Sequence, residues 1–591
     1  MKIIMKTYSQ IQEQLNSLVG FPQNLPVLYL LGDTGAGKTC LVRQILGTTA
    51  ESFPSVKRVR TTVAPTEFII TNEPTFSAAF VFRPDTEIAQ FVVEIIEQAV
   101  TAAFVAKRAG EETPDLVDTL GDSPDQRFRL RCFLSEDARK EIAKEITDQI
   151  VPKIVEWAKA HFPNDDDNTT ILELALERAF AADIEQIKAR VVDTITAQVK
   201  AKCGLAAGPV FPSTFTFKDA DRTGFIQRLK GFLSVEEGSI SPAVAKARVR
   251  GKLRSPLLPD NMELIVIDGE GIGHDAREAR VLSTRHFDYF YSSDAIVLIE
   301  DSETPFRAGG KSALSAIAKN GYLPKTSLAF SRLDLVESDT PGRMHQIREV
   351  EKGLRNVLHA LREDQVNIDR QRLDVRFMSK MQEPQSDEET QKEIRSLLEA
   401  VRQKHAAAKA RFVAPQYDFE LLAGFLVQAT ATLRQAWAGY IKGTGSVQPA
   451  PWQTQKAFTR RMSWQLDEYR YLKPVAEFAD NLVTSLDGFL THPVGWAEDI
   501  TESHKLECLN LLTREVSNEL INFVRQEVVG GPHPNWVVAA DKSGPGTTFE
   551  RRQIIMDIIQ TSAPELTGEN ARAFKNAVKS LIESAIAKAS K

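Results

Sequence analysis

Gly32-Asp33-Thr34-Gly35-Ala36-Gly37-Lys38-Thr39 has the spacing G-x-x-x-x-G-K-[ST]. That spacing suits one kind of chemistry, the holding of a polyphosphate. Glycines let the main chain curl until successive N–H groups point at phosphate oxygens. The lysine adds a charge on a long stem, and the threonine hydroxyl can ligate a hard cation. Lys38 is expected at the β- and γ-phosphates and Thr39 at Mg2+. Cys40 carries the binding segment into a helix and is expected to be a small packing residue, not a redox switch.

A second run carries complementary chemistry. Ile265-Val266-Ile267-Asp268 ends an apolar strand in a carboxylate, the arrangement that holds Mg2+ through water opposite the loop threonine. Asp268-Gly269-Glu270-Gly271 fits D-x-x-G, in which the N–H of the last glycine, Gly271, contacts a γ-phosphate. Such a contact lasts only until hydrolysis, so it can order or release the segment that follows.

These residues work only if particular elements hold them. The loop needs a strand before it, supplied by Val27–Leu31, and a helix N-terminus after it, supplied by the pattern Leu41, Ile45, Leu46. Further strands are expected at 67–71 and 78–82, as a hairpin, and at 264–267, 295–299, 327–330 and 375–378. Helical patterns fall near 277–291, 311–320 and 344–363. This alternation predicts an α/β fold: a P-loop three-layer domain with a mostly parallel sheet. Between its two parts, residues 1–83 and 256–385, the stretch 84–255 reads as a mainly helical insertion. Ile142, Ile146, Ile150, Ile154 and Ile184, Ile187, Val191, Ile195, Val199 form its apolar stripes. Residues 386–591 read as an all-α C-terminal region, whose last helix has a basic side carrying Arg572, Lys575, Lys579 and Lys588.

Composition bounds the rest. A chain of 591 residues, 42% hydrophobic and 26% charged, is a multidomain globular protein. Its net charge of -6 gives no strong signal for nucleic acid. The four cysteines lie far apart, which argues against a disulfide framework or cysteine zinc site and leads us to expect a cytoplasmic location.

At Ser331-Arg332-Leu333-Asp334, after the apolar strand Ser327–Phe330, the chain resembles the P-loop GTPases of the translation-factor-related class, whose [NT]-K-x-D element ends this strand. The resemblance implies that Asp334 accepts hydrogen bonds from the guanine N1–H and exocyclic amine. Arg332 stands where the family has lysine, its stem available to pack on the base with the guanidinium free. Ser331 replaces Asn or Thr and keeps a hydroxyl. Phe377-Met378-Ser379-Lys380 is similar to the family's S-A-K loop, implying that a backbone N–H at Ser379-Lys380 reads the guanine O6. The family's switch threonine, a ligand of Mg2+, matches Thr62, with Thr61 as second choice. Ile272 stands where many small GTPases place a water-orienting glutamine, as in large septin-like and dynamin-like branches. His274, Glu270 and Thr34 are then the candidates for activating water, with Arg58 or Arg60 supplied across an interface.

The resulting expectation is a cytosolic Mg2+-dependent GTPase with slow basal turnover. Its helical regions would convert GTP or GDP binding into movement, self-association or contact with a protein partner, and membrane contact stays open. Two alternatives are a P-loop ATPase, for which Ser331–Asp334 would be irrelevant, and a nucleotide-gated scaffold without turnover.

Overall fold

The structure, a computed structural model, describes residues 8–54, 64–123, 128–163, 168–272, 277–338, 340, 342–407, 411–444, 447–544 and 546–591. Among them, nine strands form one sheet: β1 (Val27–Gly32), β2 (Thr66–Ile70), β3 (Phe76–Phe82), β4 (Thr214–Asp219), β5 (Val244–Gly251), β6 (Leu264–Asp268), β7 (Ala295–Asp301), β8 (Thr326–Ser331) and β9 (Asp374–Phe377). Their order is β4-β3-β5-β2-β6-β1-β7-β8-β9. From β6 to β9 every pairing is parallel. Leu30 lies opposite Asp268, Gly32 opposite Ile299 and Asp301 opposite Ser331. That register brings the C-terminal ends of β1, β6, β7 and β8 into one row, where open α/β sheets place their ligands.

β1 is buried along its whole length. Leu28 and Leu30 join the core on one face of the sheet, and Val27, Tyr29 and Leu31 join the core on the other. A strand buried on both faces needs a continuous apolar run, which β1 has. Helices cover both faces, so the domain has the three layers of a P-loop fold. The helices Asp85–Ala109 and Ala181–Cys203 lie within the insertion, and all five residues of the second apolar stripe, Ile184 to Val199, are buried. Asp85–Ala109 is long and apolar enough to cross a membrane, yet its apolar side packs into the domain core. On that helix Glu94 and Glu97 are buried in ion pairs with Arg461 and Lys456.

Two expectations are corrected here. The strands at 67–71 and 78–82 do not pair as a hairpin, because β5 lies between β3 and β2. Strand structure also returns before 263, with β4 and β5 inside the segment read as insertion. β5 went unrecognised because Val-Ala-Lys-Ala-Arg-Val-Arg-Gly has the look of a solvated edge, yet Lys246 and Arg248 are 2% and 0% exposed. Glu67 on β2 pairs with both, with Lys246 Nζ at 2.7 Å and Arg248 Nη2 at 2.6 Å. Burial alone would raise the Glu67 carboxyl, but the Lys246 and Arg248 charges hold it below its ordinary value.

Among the described residues, the regular structure of the C-terminal region is helical apart from one short two-stranded pairing, Pro415–Gln416 with Gly495–Trp496. Its main helices, Leu422–Lys442, Trp452–Ser463, Pro474–Leu490, Glu502–Arg525, Thr547–Ser562 and Gly568–Ala589, enclose a core of their own. The basic side of the last helix folds back on this region: Lys575 pairs with Glu420 and Lys588 with Glu519.

Candidate functional site

Gly37 is the hinge between loop and helix. Its φ of 104 favours glycine, and a Cβ there would lie 3.0 Å from Ser331 Oγ. The helix Lys38–Leu46 begins at the next residue with no side-chain cap, so its first N–H groups and its dipole face the loop. Lys38 is buried and donates from Nζ to Gly32 O at 2.6 Å and to Asp33 O at 3.0 Å. Thr39 Oγ1 lies 3.5 Å from Asp268 Oδ2, so the two expected metal-ligating groups meet across the β1–β6 pairing.

Gly271 closes the other side. A Cβ on it would be 2.7 Å from Thr34 Oγ1 and 3.7 Å from Lys38 Nζ. Thr34 Oγ1 is itself buried without a hydrogen-bond partner among the described residues. Lys38, the Thr34 hydroxyl and the main chain of Gly271 thus come together, and donors of that kind suit a phosphate group. The hard oxygens of Thr39 and Asp268 fit Mg2+, which takes few protein ligands and keeps several waters.

The Ser331–Asp334 turn is tied to the same loop. Ser331 Oγ donates to Ala36 O at 2.6 Å, which is what its retained hydroxyl does here. Leu333 N–H donates to Met378 O at 3.1 Å, and Lys380 N–H donates to Asp334 Oδ1 at 2.9 Å. Asp334 and Ser379–Lys380 are therefore neighbours. Ser379 is buried, with its N–H on Thr390 Oγ1 and its Oγ accepting from Arg343. Both N–H groups considered for reading guanine O6 thus have acceptors within the chain. The Arg332 guanidinium is not free as expected, because it pairs with Asp301 Oδ2 at 2.7 Å, from a backbone φ of 55.

Other expectations shift as well. Cys40 is buried in the core and burial raises its thiol, as suits a packing residue. Ile272 lies in the core against the helix Ala308–Lys319. Glu270 is engaged in an ion pair: Arg285 bridges it, at 3.2 Å, to Glu468 of the C-terminal region, at 2.6 Å. Thr61, Thr62, Arg58, Arg60 and His274 lie outside the described residues. Sequence reasoning missed Glu300 and Asp301, although the apolar run Ala295–Ile299 ends in carboxylates just as 264–267 does. It also missed Arg285, for which the local sequence carries no signal.

Comparison with known proteins gives the following. No protein-family model matches the chain, and no curated protein matches it. Among solved structures it is similar to a chain of an oligomerised bacterial dynamin pair, described as providing a mechanism for the long-range sensing and tethering of membranes. That match has 10% identity and a TM-score of 0.31, covering 98% of this chain and 73% of the other. A second structure under the same description matches with 11% identity and a TM-score of 0.30, covering 99% and 74%.

Proposed function

We propose that this chain binds GTP with Mg2+, hydrolyses it slowly to GDP and phosphate, and passes the nucleotide state to its helical regions. The observation that carries the reading is the Ser331 hydroxyl on Ala36 O, with Asp334 beside Lys380. It ties the polyphosphate loop after β1 to the turn after β8 that carries Asp334, the carboxylate that would meet guanine. Thr39 and Asp268 are the groups that would hold Mg2+, whose charge neutralises β- and γ-phosphate oxygens. Lys38 and the loop N–H groups stabilise the charge that develops between the phosphates as water attacks in line. Ser331 holds the base-side turn in register with the loop. Arg285, spanning Glu270 and Glu468, is the path from the Gly271 segment to the helical region.

Titration of GTP against ATP tests the reading. GTP is expected to bind more tightly, and Asp334→Asn to weaken it about 100-fold, the worth of two hydrogen bonds to a charged acceptor. The same change should improve xanthosine triphosphate, which carries a carbonyl where guanine has its amine. ATP preference unaffected by Asp334→Asn overturns the guanine assignment. The buried Ile272 and the engaged Glu270 favour a second reading, a nucleotide-gated scaffold without turnover. Phosphate release measured over a range of protein concentrations separates the two. A superlinear rise supports hydrolysis activated by self-association, and none at any concentration supports the scaffold.

A further inference from the structure

Behind the Gly32–Thr39 loop lie two carboxyl groups that the site described above does not use. Glu300, near the end of β7, is 2% exposed. Its Oε2 accepts the Phe306 N–H at 2.8 Å, and its Oε1 has no hydrogen-bond partner among the described residues. Asp33, the second residue of the loop, has a buried Oδ1 in the same condition. The first turn of the helix Ala308–Lys319 roofs both. A Cβ on Gly309 would sit 2.0 Å from Asp33 Oδ1, and one on Gly310 would sit 2.2 Å from Glu300 Oε1.

The charged groups around the pair come from three places: Lys38 on the loop side, Asp301 next along β7, and Arg307 at the start of that helix. Lys38 is shared, since its Nζ donates to Asp33 O and Gly32 O. Burial pushes the Glu300 carboxyl up to about 8, with Asp33 and Asp301 adding to the rise and the Phe306 N–H and Lys38 opposing it. Burial raises Asp33 too, against Lys38 and Arg307. Lys38 is a cation that offsets Glu300, and a triphosphate in the loop would draw on that same charge while adding net negative charge of its own, even with Mg2+ bound. In a buried setting such charges are weakly screened.

We propose that Glu300 is a proton-binding site linked to the nucleotide: as the triphosphate binds, its buried carboxylate, with one oxygen unpartnered among the described residues, takes up a proton from solvent, with Asp33 under the same helix turn. The inference rests on the triphosphate reading of the loop. Its sign follows from linkage. Without nucleotide the Glu300 carboxyl is mostly neutral at pH 7 and mostly charged above about 8; with nucleotide it stays neutral to higher pH. Uptake is therefore small at pH 7 and grows as pH rises through about 8, and affinity falls with it, by at most about tenfold per pH unit.

The test is calorimetric titration of the full chain with GTP and Mg2+ at about pH 7 and about pH 8.5, in buffers of low and high ionisation enthalpy, which counts the protons exchanged. The expected result is a buffer-dependent heat at the higher pH that reports proton uptake and nearly vanishes at pH 7. Glu300→Gln is expected to bind GTP with no buffer dependence and with a flat affinity over this pH range. Asp33→Asn is expected to move the onset of uptake to lower pH. Binding heat that ignores the buffer overturns the proton linkage alone. Uptake that survives in Glu300→Gln also overturns it. No binding at either pH overturns the triphosphate reading and the linkage with it.

Discussion

The core of the C-terminal helical region is an apolar cluster, with Leu433, Trp437, Phe458, Leu482 and Trp536 all fully buried. Where the same region meets the α/β domain and its insertion, buried ion pairs stand beside the apolar contacts of Trp452, Ala479 and Ile521. Arg461 grips Glu94 with two bonds of 2.6 and 2.8 Å, and Lys456 lies 2.9 Å from Glu177 and 3.3 Å from Glu97. Arg285 holds Glu468, Arg280 holds Glu477, and Arg470 holds Glu278. Apolar burial is non-directional and tolerates small shifts, with each large side chain contributing about 1.5–3 kcal/mol. A buried ion pair contributes little net stability over an apolar pair, but it is costly to break on one side and it demands a particular geometry. The first kind of contact builds the helical region, and the second ties it to the segment that follows Gly271.

The largest break in that comparison should come from within the apolar core. Phe458→Ala is expected to cost about 3–5 kcal/mol, read as a lower urea midpoint. Next comes removal of one charge from the interface. Glu94→Ala leaves Arg461 buried without its carboxylate and is expected to cost about 3 kcal/mol, whereas Glu94→Leu with Arg461→Leu together should recover most of the loss. A double variant as unstable as the single one would show that the contact is not governed by charge.

Acid should weaken the interface before the core. His286 sits beside Arg285, with its Nδ1 2.7 Å from Tyr29 Oη, and burial depresses its pKa from 6.5 to about 3. A histidine depressed in the folded state contributes stability that is full above its unfolded pKa and is lost as pH falls toward the folded value. Between pH 6.5 and 3 the loss accumulates, reaching about 1.4 kcal/mol by pH 5.5. Urea midpoints measured from pH 7 to 5 should fall in the wild type and fall less in His286→Phe. The smallest effect belongs to the exposed pair Lys575–Glu420: Lys575→Ala is expected to change stability by less than about 0.5 kcal/mol.

Much of the candidate site was legible because its signals are local. A strand, a glycine turn and a helix start lie within about a dozen residues, so Gly32–Thr39 could be placed between them from spacing alone. Asp268 and Asp334 were legible as carboxylates at or just past the ends of apolar strands. The charges on β5 hid that strand, because Lys246 and Arg248 are buried against Glu67, some 180 residues earlier in the chain, and against Gln12, Asn16 and Val19. The same blindness made β2 and β3 look like a hairpin. Glu270 looked like a chemical group until Arg285 and Glu468 were seen to hold it.

By itself the sequence determined the loop, the strand-end carboxylates, the alternation of strands and helices, and the helical C-terminal region, since turn geometry and apolar periodicity act over short stretches of chain. Only the tertiary structure decided which strands are neighbours, that Ser331 grips Ala36, that Asp33 and Glu300 share one roof, and that ion pairs attach the helical region to the rest. Those contacts depend on partners hundreds of residues apart. The stability of a buried charge is set by the partner that folding brings to it, not by the residues beside it in the chain.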